Sequence, residues 1–172
     1  MKKIILTGAT SPIGSTIYKK YKNNYEIVAV SKSLGYDLQD RYNQEHLIEQ
    51  TKTAFAFINC AYIDDLQSMF LAKSCAEINI SFGSLITKVP WSYASKISNK
   101  TYIKNKLFLE YVHKSKKNSA LISISSFGPN EIVPNIREDQ FLNPITDILD
   151  RNVELPVSID IHNGLGEIEA YL

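Results

Sequence analysis

Tyr102 and Lys106 stand four residues apart in the stretch TYIKNKLFLEYVHKSK, whose apolar positions recur at helical spacing. On a helix that interval puts both side chains on one face, so an ammonium can lie beside a phenol. A free phenol titrates near pH ~10, and a neighbouring positive charge brings its proton exchange toward neutrality. The pair therefore has the chemistry of an acid/base group. A Tyr/Lys pair at this spacing is also a common accident of helix surfaces, so its meaning depends on what accompanies it.

What accompanies it is the opening of the chain, Lys2-Lys3-Ile4-Ile5-Leu6-Thr7-Gly8-Ala9-Thr10-Ser11-Pro12-Ile13-Gly14. An apolar run of strand length breaks at Gly8 and restarts at Ile13 and Ile17 with helical spacing, which predicts strand, tight turn and helix. Gly8 suits backbone angles that a side chain resists, and the small residues after it let a diphosphate approach the main chain. Amides at the helix start, with the helix dipole, favour that negative charge. Ser11 followed by Pro12 reads as an N-cap with proline at the first helical position. Gly14 would let the helix pack closely on the strand.

The elements that must position these groups follow in order. A helix is predicted over 12–22, a strand over 25–30 and a helix over 43–52, with Leu47 and Ile48 inward. The apolar run 54–61 reads as a strand buried on both faces. A helix over 65–77, a strand over 82–89, a helix over 102–116, a strand over 119–126, a helix over 139–152 and a last strand over 156–161 complete the series. The alternation predicts an α/β fold: a Rossmann-type, doubly wound, mostly parallel sheet in a single domain spanning 1–172. In dinucleotide sites an acidic residue after the second strand holds the adenosine ribose. Here Ser31-Lys32-Ser33 stands in its place, which would better receive a 2′-phosphate and points to NADP(H) ahead of NAD(H), although a lysine is common in any loop.

TGATSPIG resembles the cofactor loop of the short-chain dehydrogenase/reductase family, TGxxxGIG in its shorter branch and TGxxGxxG in its extended, sugar-nucleotide branch. Pro12 and Ser11 stand where those patterns place the middle glycine. Tyr102-x-x-x-Lys106 matches the family's Tyr-x-x-x-Lys, in which the lysine also holds the nicotinamide ribose. The resemblance covers about residues 2–160. It implies that Gly8, Thr10, Ser11, Pro12, Ile13 and Gly14 surround the diphosphate, with Ser31 and Lys32 near the adenosine. LGYDLQD resembles the short third strand and turn of the extended branch, placing Asp37 and Leu38 beside the adenine. Asp37 reads equally well as an N-cap for the next helix. Asn59-Cys60-Ala61 resembles the N-A-A/G segment at the carboxyl end of the family's fourth strand.

The family's third catalytic member is a hydroxyl near the end of the fifth strand. Aligned with reductases of the dTDP-4-dehydrorhamnose type, Thr87 takes that place, with Ser84 as the alternative. Tyr93 and Lys96 are three apart, off the family spacing, and fall in the expected loop between 90 and 101. The resemblance implies hydride transfer between nicotinamide and a substrate carbon, with Tyr102 exchanging the proton on oxygen and a hydroxyl steadying that oxygen. It favours a reductase or epimerase acting on a sugar nucleotide. A non-catalytic NAD(P)-binding or regulatory module, and a carbonyl reductase for a small free substrate, are the alternatives. Extended members carry a further substrate-binding region that a chain ending at Leu172 would mostly lack, leaving the loop after Pro90 and the segment 129–137 to shape the pocket. Helices 65–77 and 102–116 correspond to those that pair family members, which implies a homodimer.

Composition excludes other classes. A net charge of +1 gives no whole-chain reason to expect nucleic acid or an anionic membrane as partner. Lys114, Lys116 and Lys117 close a predicted helix, where cations suit the dipole. Cys60 and Cys75 lack CxxC spacing and a histidine cluster, so no metal site is expected and two reduced thiols suit a cytoplasmic protein. No run is long enough to cross a bilayer, and the first residues lack the pattern of a signal peptide.

Overall fold

Strands that run parallel must be joined by crossovers, and helices in those crossovers cover both faces of the sheet. That is why the strands Lys3–Thr7 and Ala56–Asn59 here are apolar almost end to end. The computed structural model describes residues 1–125 and 136–162, and the expected turn 127–130 with most of the segment 129–137 lies outside them. The elements are β1 (Lys3–Thr7), α1 (Pro12–Tyr21), β2 (Glu26–Val30), α2 (Arg41–Thr51), β3 (Ala56–Asn59), α3 (Leu66–Lys73) and β4 (Ile78–Ser84), then α4 (Trp91–Ile97), α5 (Lys100–Ser115), β5 (Ser119–Ile124), α6 (Glu138–Leu149) and β6 (Val157–Ile161). All six strands pair in parallel in the order β2-β1-β3-β4-β5-β6. The architecture is the expected doubly wound α/β sheet.

Two cores flank the sheet. Ile4, Leu6, Ile58, Ile80 and Ile122 face α1 and α6, where Ile17, Phe141 and Ile145 complete a buried cluster. Ile5 and Phe57 face the other side, against Leu47 of α2 and Phe70 of α3, while Leu109 and Val112 of α5 pack on Leu71 and Leu121. The strands thus alternate their side chains between two apolar layers. No helix among the described residues is long and apolar enough to cross a membrane.

Four expectations are corrected. LGYDLQD forms no strand: Lys32–Leu34 is a 3-10 turn that ends at Gly35 with φ +83, and a bend leads on to α2. Asp40, not Asp37, caps α2 by accepting from the Asn43 amide. The strand expected over 82–89 is β4, and it starts at Ile78 because Asn79 and Ser81 are buried inside the sheet, so polar residues disguised its first half. Leu85–Lys88 is a 3-10 turn, and the stretch expected as a loop between 90 and 101 holds helix α4.

Candidate active site

The chain leaves β1 for β2 on one side and reaches β3 on the other, so the order reverses beside β1 and a crevice opens at the carboxyl ends there. Gly8 forms the turn at φ +64, and a Cβ on it would lie 2.8 Å from the Ala61 nitrogen. A Cβ on Gly14 would lie 2.1 Å from the Gly8 carbonyl oxygen, so the helix start rests directly on the turn. Ser11 is the N-cap, its hydroxyl accepting from the Gly14 amide at 3.1 Å, and Pro12 follows it. Pro12 has no N–H, Gly14 is spent on Ser11, and the Ser15 amide donates to the Ser11 carbonyl at 2.8 Å. In the first turn this leaves the Ile13 amide for a ligand.

A cavity of about 430 Å³ lies against this turn, lined by Gly8, Ser31, Lys32, Asp37, Leu38 and Ala61 among others. Lys32 and Asp37 pair across it at 3.0 Å. The Asp37 carboxyl is held below its ordinary range by the Gln39 amide first and by Lys32 second. Ser33 donates to the exposed Thr10 hydroxyl at 2.9 Å and shares a hydrogen bond with Ser31 at 3.1 Å. Asn59 lies fully buried beneath the floor, where its carboxamide accepts from the Thr7 hydroxyl and donates to the Gln67 carbonyl, each at 2.9 Å.

A second cavity, about 240 Å³, is lined by Ile13, Cys60, Tyr62, Ser84, Tyr102 and Lys106 among others. Tyr62 borders both cavities, and its ring meets Tyr102 edge-on at 4.9 Å between centroids. Ser84 lines this cavity together with Tyr102. Thr87 turns elsewhere, donating to the Ser84 carbonyl at 2.8 Å and to the Glu110 carboxylate, and it does not line this cavity. Two candidate hydroxyls therefore separate by orientation.

Lys106 is 4% exposed, and its Nζ donates to Gln67 Oε1 and to the Phe82 carbonyl, each at 2.7 Å. Burial lowers its pKa from 10.5 to about 8, with Cys60 acting the other way. Burial pushes the Cys60 thiol up, and Lys106 opposes that shift. The ammonium lies 5.6 Å from the Tyr102 ring centroid. Burial raises the Tyr102 pKa, the Ser84 hydrogen bond opposes it and Tyr62 adds to it. The expected lowering of the phenol by Lys106 is not found: burial dominates, and the ammonium's hydrogen bonds go to Gln67 and Phe82. As arranged, Tyr102 holds its proton at neutral pH.

No protein-family profile matches the sequence, and no curated protein matches it. Solved structures match it in three dimensions. The 3-alpha-hydroxysteroid dehydrogenase from Pseudomonas sp. B-0831, complexed with NADH, is similar at TM-score 0.74 and 10% identity over 98% of each chain. A short chain dehydrogenase from Burkholderia cenocepacia J2315, in complex with NADP, gives 0.69 and 10% over 95% of this chain and 97% of that one. UDP-N-acetylglucosamine 4-epimerase from Bacillus cereus gives 0.67 and 15% over 94% of this chain and 78% of that one. The chain shares the fold of these two dehydrogenases and of this epimerase.

Within that fold, sequence reasoning missed Tyr62, which lines the crevice, and Gln67, which lies buried behind Lys106. Tyr62 joins the two cavities, and its place directly after Asn59-Cys60-Ala61 was the available signal. Gln67 carried no signal, because a glutamine on a short helix reads as a solvated face. It is 3% exposed.

Proposed function

We propose that this protein is an NAD(P)-dependent oxidoreductase or epimerase of the short-chain dehydrogenase/reductase type, with Tyr102 as its acid/base. One observation carries the reading: Ser84, Tyr102 and Lys106 line a single cavity that meets the crevice beside Gly8 at Tyr62. The crevice suits a dinucleotide, with the α1 start facing the diphosphate, Ser31 and Lys32 at the adenosine end, and Leu38 and Ala61 as apolar walls. A bound nicotinamide would supply or accept the hydride. Tyr102 then gives or takes the proton on the substrate oxygen, and Ser84, ahead of Thr87, steadies that oxygen. Lys106, buried in the same cavity, is placed to hold the ribose and to supply positive charge once the site is filled.

NADP(H) ahead of NAD(H) is supported by Lys32 with the hydroxyls of Ser31 and Ser33, and Asp37 tempers the preference by pairing with Lys32. A nucleotide sugar as substrate is supported by the segments LGYDLQD and INCAYIDD and by the likeness to an epimerase. Leu107, Phe108 and Tyr111 are exposed on α5, which favours a homodimer through that helix. The unpaired thiols of Cys60 and Cys75 fit a cytoplasmic protein. A non-catalytic dinucleotide-binding module is the second reading, favoured by a turn in which Ser11 and Pro12 together remove two amides from the phosphate site.

Nicotinamide fluorescence during titration with NADPH and NADH tests binding. Turnover of a panel of 4-keto sugar nucleotides tests chemistry: Tyr102→Phe is expected to lose about 100-fold or more in kcat while keeping its nucleotide affinity. Unchanged turnover would remove Tyr102 from the role, and nucleotide binding without any turnover would favour the module.

A further inference from the structure

We propose that Gln67 is a positioning residue: its carboxamide fixes the ammonium of Lys106 in the cavity and ties it to the ends of β3 and β4. The inference rests on the oxidoreductase reading for its purpose, and on the following geometry for its substance. Gln67 Nε2 donates to the Asn59 carbonyl at 3.1 Å and to the Phe82 carbonyl at 3.2 Å. Two carbonyls can only accept, so they fix which end of the amide points where. Oε1 is left facing Lys106, at 2.7 Å from Nζ.

An ammonium has three donors, and two are committed, to Gln67 Oε1 and to the Phe82 carbonyl. The third remains for the cavity, where the Tyr62 and Tyr102 rings lie 5.3 and 5.6 Å from Nζ. The titratable groups that face the ammonium are Cys60 from the end of β3, Tyr62 from the segment after it, and Tyr102 from α5 itself. Burial raises the pKa of both Cys60 and Tyr102, so neither offers the ammonium a counter-charge at neutral pH. Gln67 therefore orients the ammonium without neutralising it, which a carboxylate in its place would do.

The glutamine is itself held. Its main-chain carbonyl accepts from Asn59 Nδ2, and Asn59 Oδ1 accepts from Thr7, whose hydroxyl also accepts from the Ala61 amide at 3.3 Å. The string of contacts runs from the last residue of β1, beside the Gly8 turn, to Lys106. Buried hydrogen-bonded strings of this kind hold a side chain in one place because every alternative leaves a polar atom unsatisfied.

The test uses the full chain as wild type, Gln67→Leu and Gln67→Glu. Two readouts are taken across pH 6.5–9.5: affinity for NADPH and NADH by fluorescence, and the midpoint of the Lys106 side-chain titration by NMR, assigned by its loss in Lys106→Arg. The wild-type midpoint is expected near 8. Gln67→Leu should lower it by about one unit, and Gln67→Glu should raise it by about one unit or more. Gln67→Leu should also weaken NADPH roughly tenfold. Opposite shifts are what a packing role would not give. An unmoved midpoint in both variants overturns the inference, and should Gln67→Leu fail to fold, an unmoved midpoint in Gln67→Glu overturns it alone. A wild type that binds neither nucleotide while the midpoints still move defeats the oxidoreductase reading and leaves the positioning role standing.

Discussion

Lys32 lines the crevice and Lys106 the cavity that adjoins it at Tyr62, one in solvent against the Asp37 carboxylate, the other buried on α5 against neutral oxygens. The Lys32 side chain is 77% exposed and its ion pair spans 3.0 Å. Water and salt screen such a pair, so either partner can turn to a ligand at little cost. Lys106 is enclosed, and loss of hydration governs its proton affinity, which is why its pKa falls to about 8. The Lys32 end is adaptable while the Lys106 end is set in advance by packing. The crevice itself depends on the junction of Gly8 with Gly14.

That dependence gives the most severe way to break the comparison. Gly14→Ala forces a Cβ to within 2.1 Å of the Gly8 carbonyl oxygen, a main-chain atom that cannot swing aside. A loss of about 3 kcal/mol or more in urea unfolding is expected, with nucleotide binding abolished at both ends together. Gly35→Ala serves as the contrast, because no atom lies within 4 Å of its Cβ and only the φ of +83 resists it. It should cost about 1–2 kcal/mol. Equal losses in the two variants would show that the turn and α1 are not wedged together.

The pH dependence of stability sharpens the contrast next. The Lys106 pKa is depressed from 10.5 to about 8, so between those values the unfolded chain binds more protons than the folded one. Stability should therefore rise as pH increases from 8 toward 10, by up to about 2.5 kcal/mol, and the burial penalty is fully present below pH 8. Lys106→Met should lack that rise, as urea melts at several pH values would reveal. Lys32→Met should keep it.

Asp37→Asn makes the smallest change. Releasing Lys32 from its partner should improve NADPH affinity about two- to fivefold, leave NADH unchanged and lose the gain in high salt. An equal gain for both nucleotides would place Lys32 away from the 2′-phosphate.

The contrast between the two ends also explains what was legible beforehand. Gly8, Ser11, Pro12 and Gly14 announce their structure because backbone freedom, capping and close packing each demand a particular residue type. Tyr102 and Lys106 stood out through spacing alone. Ser84 stood only second to Thr87, because it ends a strand whose first half, Asn79 and Ser81, reads as a connection, and so the strand was expected four residues too late. That shift moved attention to Thr87, which the chain uses against Glu110. Gln67 was invisible because its role comes from two carbonyls, an asparagine carboxamide and an ammonium brought together by folding. Helix α4 is seven residues long and shows too few turns for a period to register.

With β2 at the margin of the sheet and no strand formed by LGYDLQD, one row of its peptide groups faces outward among the described residues. An open row of that kind invites a foreign chain to dock by main-chain pairing and is a common seed of fibrils. Here the row is five residues long and begins at the exposed Glu26, and the 3-10 turn that starts at Lys32 closes its far end within two residues. Brevity and a terminal charge guard this flank, so lengthening it or replacing Glu26 with an apolar residue would trade solubility for self-association.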